Sequence, residues 1–205
     1  MIEANNQVTI AGEIAAELVS YEMGGKKYFI TELLVSRLSG VYDTIPVIMP
    51  SELIDAKSNY KGKYVFITGQ LRSYNKQAKE NKKVLMRVFV RDISFADEKQ
   101  NINVISLNGF VCREPYYKET PLGKEVTDTT LAVNRNHDNS TDYISCIFWN
   151  GVARYVSQLE IGTHLKISGR IQSRIYRKKC TDGKVKTKVA YEVSVSKFEV
   201  VEGEE

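Results

Sequence analysis

The sequence has 205 residues, 42% of them hydrophobic and 26% charged, with a formal net charge of +4. That is enough chain for one large domain or two small ones, and enough apolar material for a packed core. No apolar run approaches the ~18 residues of a membrane-spanning helix, the start MIEANNQVTI lacks the basic region and apolar stretch of a secretory leader, and the three cysteines (Cys112, Cys146, Cys180) show neither pairing nor metal-ligand spacing.

The order of elements begins with a strand at NQVTIAG, Asn6 to Gly12, and a turn marked by Gly24-Gly25. A second strand ends at Arg37, and a polar loop leads to a third, Thr44 to Met49. A helix is predicted over Glu52 to Tyr60. A fourth and a fifth strand follow, joined by a hairpin rich in lysine. Pro46 inside the third strand points to an edge or a bulge, because proline has no N–H to give a sheet.

The same order then recurs about one hundred residues later. NVISLNG (Asn103 to Gly109) resembles NQVTIAG, and TTLAVNR (Thr129 to Arg135) resembles TELLVSR (Thr31 to Arg37). IGTHLKISGRIQS (Ile161 to Ser173) resembles KGKYVFITGQLRS (Lys61 to Ser73), with Gly169 over Gly69. AYEVSV (Ala190 to Val195) matches the alternation of LMRVFV (Leu85 to Val90). In the second copy the turn carries Pro121 and Gly123, the third strand is Tyr143 to Trp149, and the predicted helix is Val152 to Leu159. The polar run from Ala96 to Asn101 separates the copies, so the expected units are residues 1–96 and 101–201, with 202–205 a short acidic tail. Five short strands with a helix between the third and fourth predict an all-β chain with short helices, built as two tandem five-stranded Greek-key barrels of the OB type. Gly69 and Gly169 suit a strand bent sharply at a barrel corner.

Within this frame, TDYISCIFW (Thr141 to Trp149) puts Ile144, Cys146 and Phe148 on one face and Tyr143, Ser145, Ile147 and Trp149 on the other. HLKISGRIQSRIY (His164 to Tyr176) puts Leu165, Ile167, Ile171 and Ile175 on one face and Lys166, Arg170, Arg174 and Tyr176 on the other. Rings and cations on one outward face form a stacking platform for single-stranded nucleic acid. In the first copy Tyr64, Phe66, Arg72 and Tyr74 share the outward side of the fourth strand, but Met49-Pro50 stands where the second has Phe148-Trp149, so a ring is missing there. From Lys57 to Arg91 only Glu80 opposes the basic residues, and from Lys166 to Lys188 only Asp182 does. The basic excess, which includes Arg177, Lys178 and Lys179, therefore falls on the same hairpin twice. Lysine on a hairpin also protects an edge strand from aggregation.

The second copy, from about Asn101 to Val201, resembles the bacterial single-stranded DNA-binding proteins, through NVISLNGFVCREP, LAVNR, TDYISCIFWNGVARYV and the segment ending GRIQSRIY. The resemblance implies an OB barrel whose outer face stacks bases on aromatics and tracks phosphates with cations. Matched by position, Tyr143, Trp149 and Tyr176 fall where that family places its base-stacking rings. Thr129 stands where the family usually has Phe, and the loop NHDNS (Asn136 to Ser140) carries no aromatic. The sequence closes on VVEGEE without the family's long acidic, apolar-tipped tail, so either recruitment through such a tail is not expected or the sequence is a shortened piece. The first copy resembles the family only through the repeat and reads as a diverged barrel that binds more weakly or helps assembly.

The expected function is sequence-tolerant binding of single-stranded DNA in replication, recombination or repair, with no enzymatic activity, no cofactor and no metal. The expected contacts are Tyr143, Trp149, Tyr176, Arg135, Lys166, Arg170, Arg174, Arg177, Lys178 and Lys179 in the second copy, and Tyr64, Arg72 and Tyr74 in the first. The alternative is an adaptor of the primosome or of recombination, whose barrels mainly bind proteins. The ordinary readings beside these are a packed Trp149, a solvated Arg135, and Asp43 and Asp142 as turn caps at equivalent loop ends. His137 and His164 have no carboxylate at triad spacing. Two barrels per chain imply a homodimer with four barrels, since single-barrel relatives in that family form tetramers. Replication and recombination proteins are further expected partners, no membrane is, and the expected place is the cytoplasm, with the nucleoid.

Overall fold

A computed structural model describes residues 5–76, 83–136, 139–179, 183 and 185–202, with the side chains of residues 75, 76, 83, 178 and 179 outside the description. The first half forms β1 (Asn6–Ile14), β2 (Val19–Met23), β3 (Lys26–Ser36), β4 (Tyr42–Pro50), β5 (Tyr64–Lys76) and β6 (Lys83–Phe95). The second forms β7 (Asn103–Val111), β8 (Tyr116–Glu119), β9 (Glu125–Asn134), β10 (Thr141–Trp149), a helix α1 (Gly151–Val156), β11 (His164–Lys179) and β12 (Val185–Val200).

Each half closes a ring of five strands. In the first, β1 pairs with β3, β3 with β4, β4 in parallel with β6, β6 with β5, and β5 with β1. In the second, β7, β9, β10, β12 and β11 repeat the circuit, again with a single parallel step, between β10 and β12. The short strands β2 and β8 hang on β3 and β9 outside the rings. This is the expected pair of five-stranded OB barrels. Pro46 sits opposite Glu32 of β3, one residue before the pairing of β4 with β6 begins at Val47, so its missing N–H breaks no ladder there.

Alternation fills the interiors. Val8, Ile10, Leu33, Ile45, Ile67 and Leu71 are buried in the first half; Leu107, Leu131, Ile144, Phe148, Leu165 and Ile171 are buried in the second. Both long hairpins slip register at the glycine predicted for the corner, between Thr68 and Gly69 and between Ser168 and Gly169. A Cβ on Gly69 would lie 2.2 Å from the Phe89 carbonyl oxygen, and one on Gly169 would lie 2.3 Å from that of Ser194. The crossing of these strands therefore requires a residue without a side chain. Where the ladders of β1 with β5 and of β7 with β11 end, at these glycines, an asparagine side chain takes over the bonding. Asn6 donates to the Leu71 carbonyl at 2.7 Å and accepts the Leu71 N–H at 3.0 Å. Asn103 does the same to Ile171 at 2.8 and 2.9 Å.

The predicted helix at Glu52 to Tyr60 is only a 3₁₀ turn, Ser51–Leu53. Asp55 explains the stop: its carboxylate accepts the Lys57 N–H and the Ser58 hydroxyl, each at 3.0 Å, giving the backbone a turn in place of a helical bond. The second predicted helix ends three residues early, at Val156. Two face assignments also change. Ile147, expected outward, is buried beside Cys146 and Phe148, and Ile175, expected inward, is 72% exposed because the hairpin has run past the end of the barrel.

The barrels are joined by more than the linker. The N-terminal part of β1 pairs antiparallel with β7, from Asn6 opposite Leu107 to Ile10 opposite Asn103. Each long hairpin also reaches the other barrel. Asp142 accepts the Ser73 N–H at 2.7 Å, while the Ser73 hydroxyl accepts the Tyr143 N–H at 3.0 Å. Arg135 closes on the same carboxylate at 2.8 and 2.9 Å. In mirror image, Asp43 accepts the Ser173 N–H at 2.6 Å, the Ser173 hydroxyl accepts the Thr44 N–H at 3.1 Å, and Arg37 closes on Asp43 at 2.5 and 2.7 Å. Asp43 and Asp142, expected as turn caps, are fully buried clasps between the barrels. The fit is good because a buried carboxylate needs several donors to replace its water.

Candidate nucleic-acid interface

The clasps set the two barrels around a shared groove of about 710 Å³. Tyr143, Tyr176 and Tyr191 line it from the second half, and Leu85, Met86 and Arg87 from the first. It runs on into a smaller groove of about 320 Å³, which shares Tyr176 and Tyr191 and adds Tyr116 and Arg174. Tyr143 is 52% exposed. Its position follows from strand parity on β10, which buries the neighbouring Asp142 and Ile144 and sends the ring outward. Tyr176 is half-buried, with the Arg174 guanidinium 5.8 Å from its ring centre. Arg113 and Arg177 are exposed, and Arg113 lines both grooves.

The cations are not equivalent. Arg174 donates to Glu192 at 3.1 and 3.2 Å, and that hydrogen bond raises its pKa above the usual arginine value. Arg170 donates to Asp43 at 3.3 Å and to Gln172 at 2.9 Å, and burial lowers its pKa. Arg135, expected on phosphate, turns inward to Asp142. Lys166 is half-buried at the far end of β11, where it lines a separate groove with Asn108 and Lys197. Ten residues of β11, up to roughly 33 Å at about 3.3 Å per residue, separate it from Tyr176. Lys178 and Lys179 carry side chains outside the described residues, and the hairpin lysines Lys79, Lys82 and Lys184, like His137, lie outside them altogether.

Trp149 is half-buried at the end of β10 and donates from Nε1 to the Ser194 hydroxyl at 3.0 Å. The first half answers it from another strand. Ile48 pairs with Phe89 just as Ile147 pairs with Ser194, so Pro50 stands in the place of Trp149 and Phe89 in the place of Ser194. The ring absent from the third strand of the first barrel has thus moved to the fifth. It is 7% exposed, with Arg72 at 4.0 Å and Arg91 at 5.1 Å from its centre. Burial against this stack lowers the pKa of Arg72. Tyr74 is also half-buried, its hydroxyl without a hydrogen-bond partner among the described residues, and burial raises its pKa. Tyr64 spends its hydroxyl on the Gln100 carbonyl in the linker. Of the three expected first-half contacts, Tyr64 and Tyr74 are both half-buried and Arg72 lies over Phe89.

Sequence reasoning brought Tyr143, Tyr176 and Arg174 to one surface but missed Arg87, Arg113 and Tyr191 beside them. It also missed the clasp serines. Their signal was in the repeat, which superposes Ser73 on Ser173, Arg37 on Arg135 and Asp43 on Asp142.

Two closed five-stranded rings with a parallel closing pair and bulged long hairpins define a tandem OB-fold protein. The wild-type single-stranded DNA binding protein from Thermus aquaticus shares this fold over 98% of this chain and 94% of its own, with a TM-score of 0.74 at 22% identity. Residues 102–201 match the model of the single-strand binding protein family. Single-stranded DNA-binding protein B of Bacillus subtilis is 34% identical over 80 residues, which are 36% of this chain and 71% of that protein. The single-stranded DNA-binding protein of Halalkalibacterium halodurans is 37% identical over 81 residues, 37% of this chain. That match spans about half of the relative's length, 48%, as does one to single-stranded DNA-binding protein 2 of Listeria monocytogenes, at 54%. The chain belongs to the single-strand binding protein family.

Proposed function

We propose that this protein binds single-stranded DNA with little sequence preference, as a binding protein and not a catalyst, in replication, recombination or repair. The observation that carries this is the groove between the barrels, where Tyr143 and Tyr176 stand beside Arg87, Arg113 and Tyr191. The relatives' own names as single-stranded DNA-binding proteins support it. Rings stack on any base, each contributing roughly 1–3 kcal/mol, and cations follow the phosphates. Pairing hides base faces, so a duplex offers the groove only its backbone.

In this reading Tyr143 and Tyr176 are the main stacking groups, Trp149 a further one at the barrel rim, and Arg113, Arg174 and Arg177 the phosphate contacts, with Lys178 and Lys179 continuing along the hairpin. Arg135 acts through Asp142 instead. Residues 1–96 and 101–201 are the two domains, a homodimer supplies four barrels, and the protein works in the cytoplasm with other replication and recombination proteins. Among the described residues no helix is long and apolar enough to cross a membrane.

Anisotropy of a labelled oligo-dT, titrated at two salt concentrations against a duplex of equal length, tests the function. Preference for the single strand with steep salt dependence is expected. Equal affinity for duplex, or no binding at low salt, overturns it. Light scattering that gives a monomer removes the dimer alone.

A further inference from the structure

We infer that Ser73 of the first barrel is a positioning residue for Tyr143 of the second, so that the base-stacking surface of one barrel is held in place by the other. The inference rests on the reading that Tyr143 contacts a base. Among the described residues the first half of β10 has one ladder neighbour, because its pairing with β12 begins at Cys146, whereas β9 accompanies it from Thr141. Ser73 docks at that open edge. Its hydroxyl accepts the Tyr143 N–H at 3.0 Å, and its own N–H and hydroxyl donate to Asp142 at 2.7 and 3.3 Å. Arg135 locks the Asp142 carboxylate from the other side. Two consecutive residues of β10 are thus pinned by one residue of the other barrel, immediately at the base of a ring that is 52% exposed.

The same hairpin supplies the facing wall of the groove. Ser73 pairs with Met86 and Arg72 with Arg87, and Met86 and Arg87 line the groove opposite Tyr143. One serine therefore fixes both the backbone that carries the ring and the distance across which the ring faces its wall. A ring whose backbone is no longer held by its neighbours must be ordered when a base stacks on it, which weakens binding.

The mirror clasp makes the inference discriminating. Ser173 pins the Thr44 N–H at 3.1 Å and bonds Asp43 just as Ser73 bonds Asp142, but Thr44 carries no ring. A purely structural role makes the two serines equivalent. A positioning role ties the binding effect of Ser73 to the Tyr143 ring, whereas Ser173, which pairs with Tyr191 on the hairpin that carries Arg174 and Tyr176, reaches the groove only through those residues and independently of Tyr143.

The test uses the full chain and oligo-dT anisotropy, well below the melting temperature. Ser73→Ala and Ser173→Ala are expected to lower the melting temperature alike, while Ser73→Ala weakens binding about tenfold through the Tyr143 ring. The salt slope stays unchanged, since no phosphate contact is lost. Ser73→Thr, which keeps the hydroxyl, restores affinity. In a Tyr143→Ala background the Ser73→Ala effect disappears. If Ser73→Ala melts too low to assay, Ser73→Cys against Ser73→Thr makes the same comparison at conserved bulk. Unchanged affinity in Ser73→Ala, or a loss that persists without the Tyr143 ring, overturns the inference. Wild-type affinity in Tyr143→Ala overturns the stacking reading itself, and the inference with it.

Discussion

Asp43 and Ser173 lie in different barrels, yet the buried Asp43 carboxylate accepts the Ser173 N–H at 2.6 Å, and Asp142 accepts that of Ser73 at 2.7 Å. The two contacts are one interaction used twice around an approximate two-fold axis. Each couples a loop end of one barrel to the long hairpin of the other.

Removing a clasp carboxylate leaves a partly buried guanidinium without its counter-ion. Asp142→Ala is expected to cost about 3 kcal/mol in urea unfolding. Asp43→Ala costs more, because Asp43 holds both Arg37 and Arg170, whereas Asp142 pairs with Arg135. A double-mutant cycle of Asp43→Ala with Ser173→Ala should show strong coupling.

The corner glycines give a sharper stability test. A methyl group at Gly69 or Gly169 meets backbone oxygen, which cannot swing away as a side chain would. Gly69→Ala and Gly169→Ala are each expected to destabilise by about 3 kcal/mol, read as a lower urea midpoint with the slope unchanged. Gly123→Ala, in open space but at φ 72°, should cost only about 1 kcal/mol of backbone strain.

How far the sequence carried these results depends on the kind of signal. Strands and corners were legible because alternation and two glycines at matching places state a local backbone need. The helix after the third strand was not, since Asp55 competes for its backbone N–H groups in a way that apolar spacing does not register. The outward rings were legible by parity at Tyr143 and Tyr176. Arg135 was misread because its counter-ion sits seven residues later in chain and becomes its partner only when the other barrel's Ser73 shares the same carboxylate. The displaced ring of the first half was illegible for a related reason: strand parity says which side a residue faces, and only the parallel register of β4 and β6 says that Phe89 occupies the spot held by Ser194 in the second barrel.

Tyr74 predicts an alkaline effect. Burial disfavours its phenolate and raises its pKa above the ordinary value of 10.0, as it does for Tyr191. In the unfolded chain the proton leaves at the lower value, so stability is full below about pH 10 and falls as pH rises through the folded value. Tyr74→Phe should flatten that fall in melting temperature measured from pH 8 to 11. At neutral pH it should be neutral or slightly stabilising, because the hydroxyl it removes has no partner among the described residues.

Two kinds of substitution should separate the two halves of the binding mechanism. Tyr143→Ala and Tyr176→Ala are each expected to weaken oligo-dT binding by about 1–3 kcal/mol with the salt slope kept. Arg113→Gln and Arg177→Gln should each lower the log–log salt slope by about 0.7 while leaving stability unchanged. Trp149→Phe should cost a little stability by stranding the Ser194 hydroxyl.

The antiparallel seam of β1 with β7 has a kinetic consequence. Because both strands belong to one polypeptide, the meeting of the barrels is a unimolecular event, governed by the linker's effective concentration and not by the number of molecules in solution. Dilution that would separate two independent single-barrel chains leaves this pair intact. A single chain also frees the copies from identity: the mirror sites at Tyr143 and Thr44 are encoded separately, so one carries a ring and the other does not.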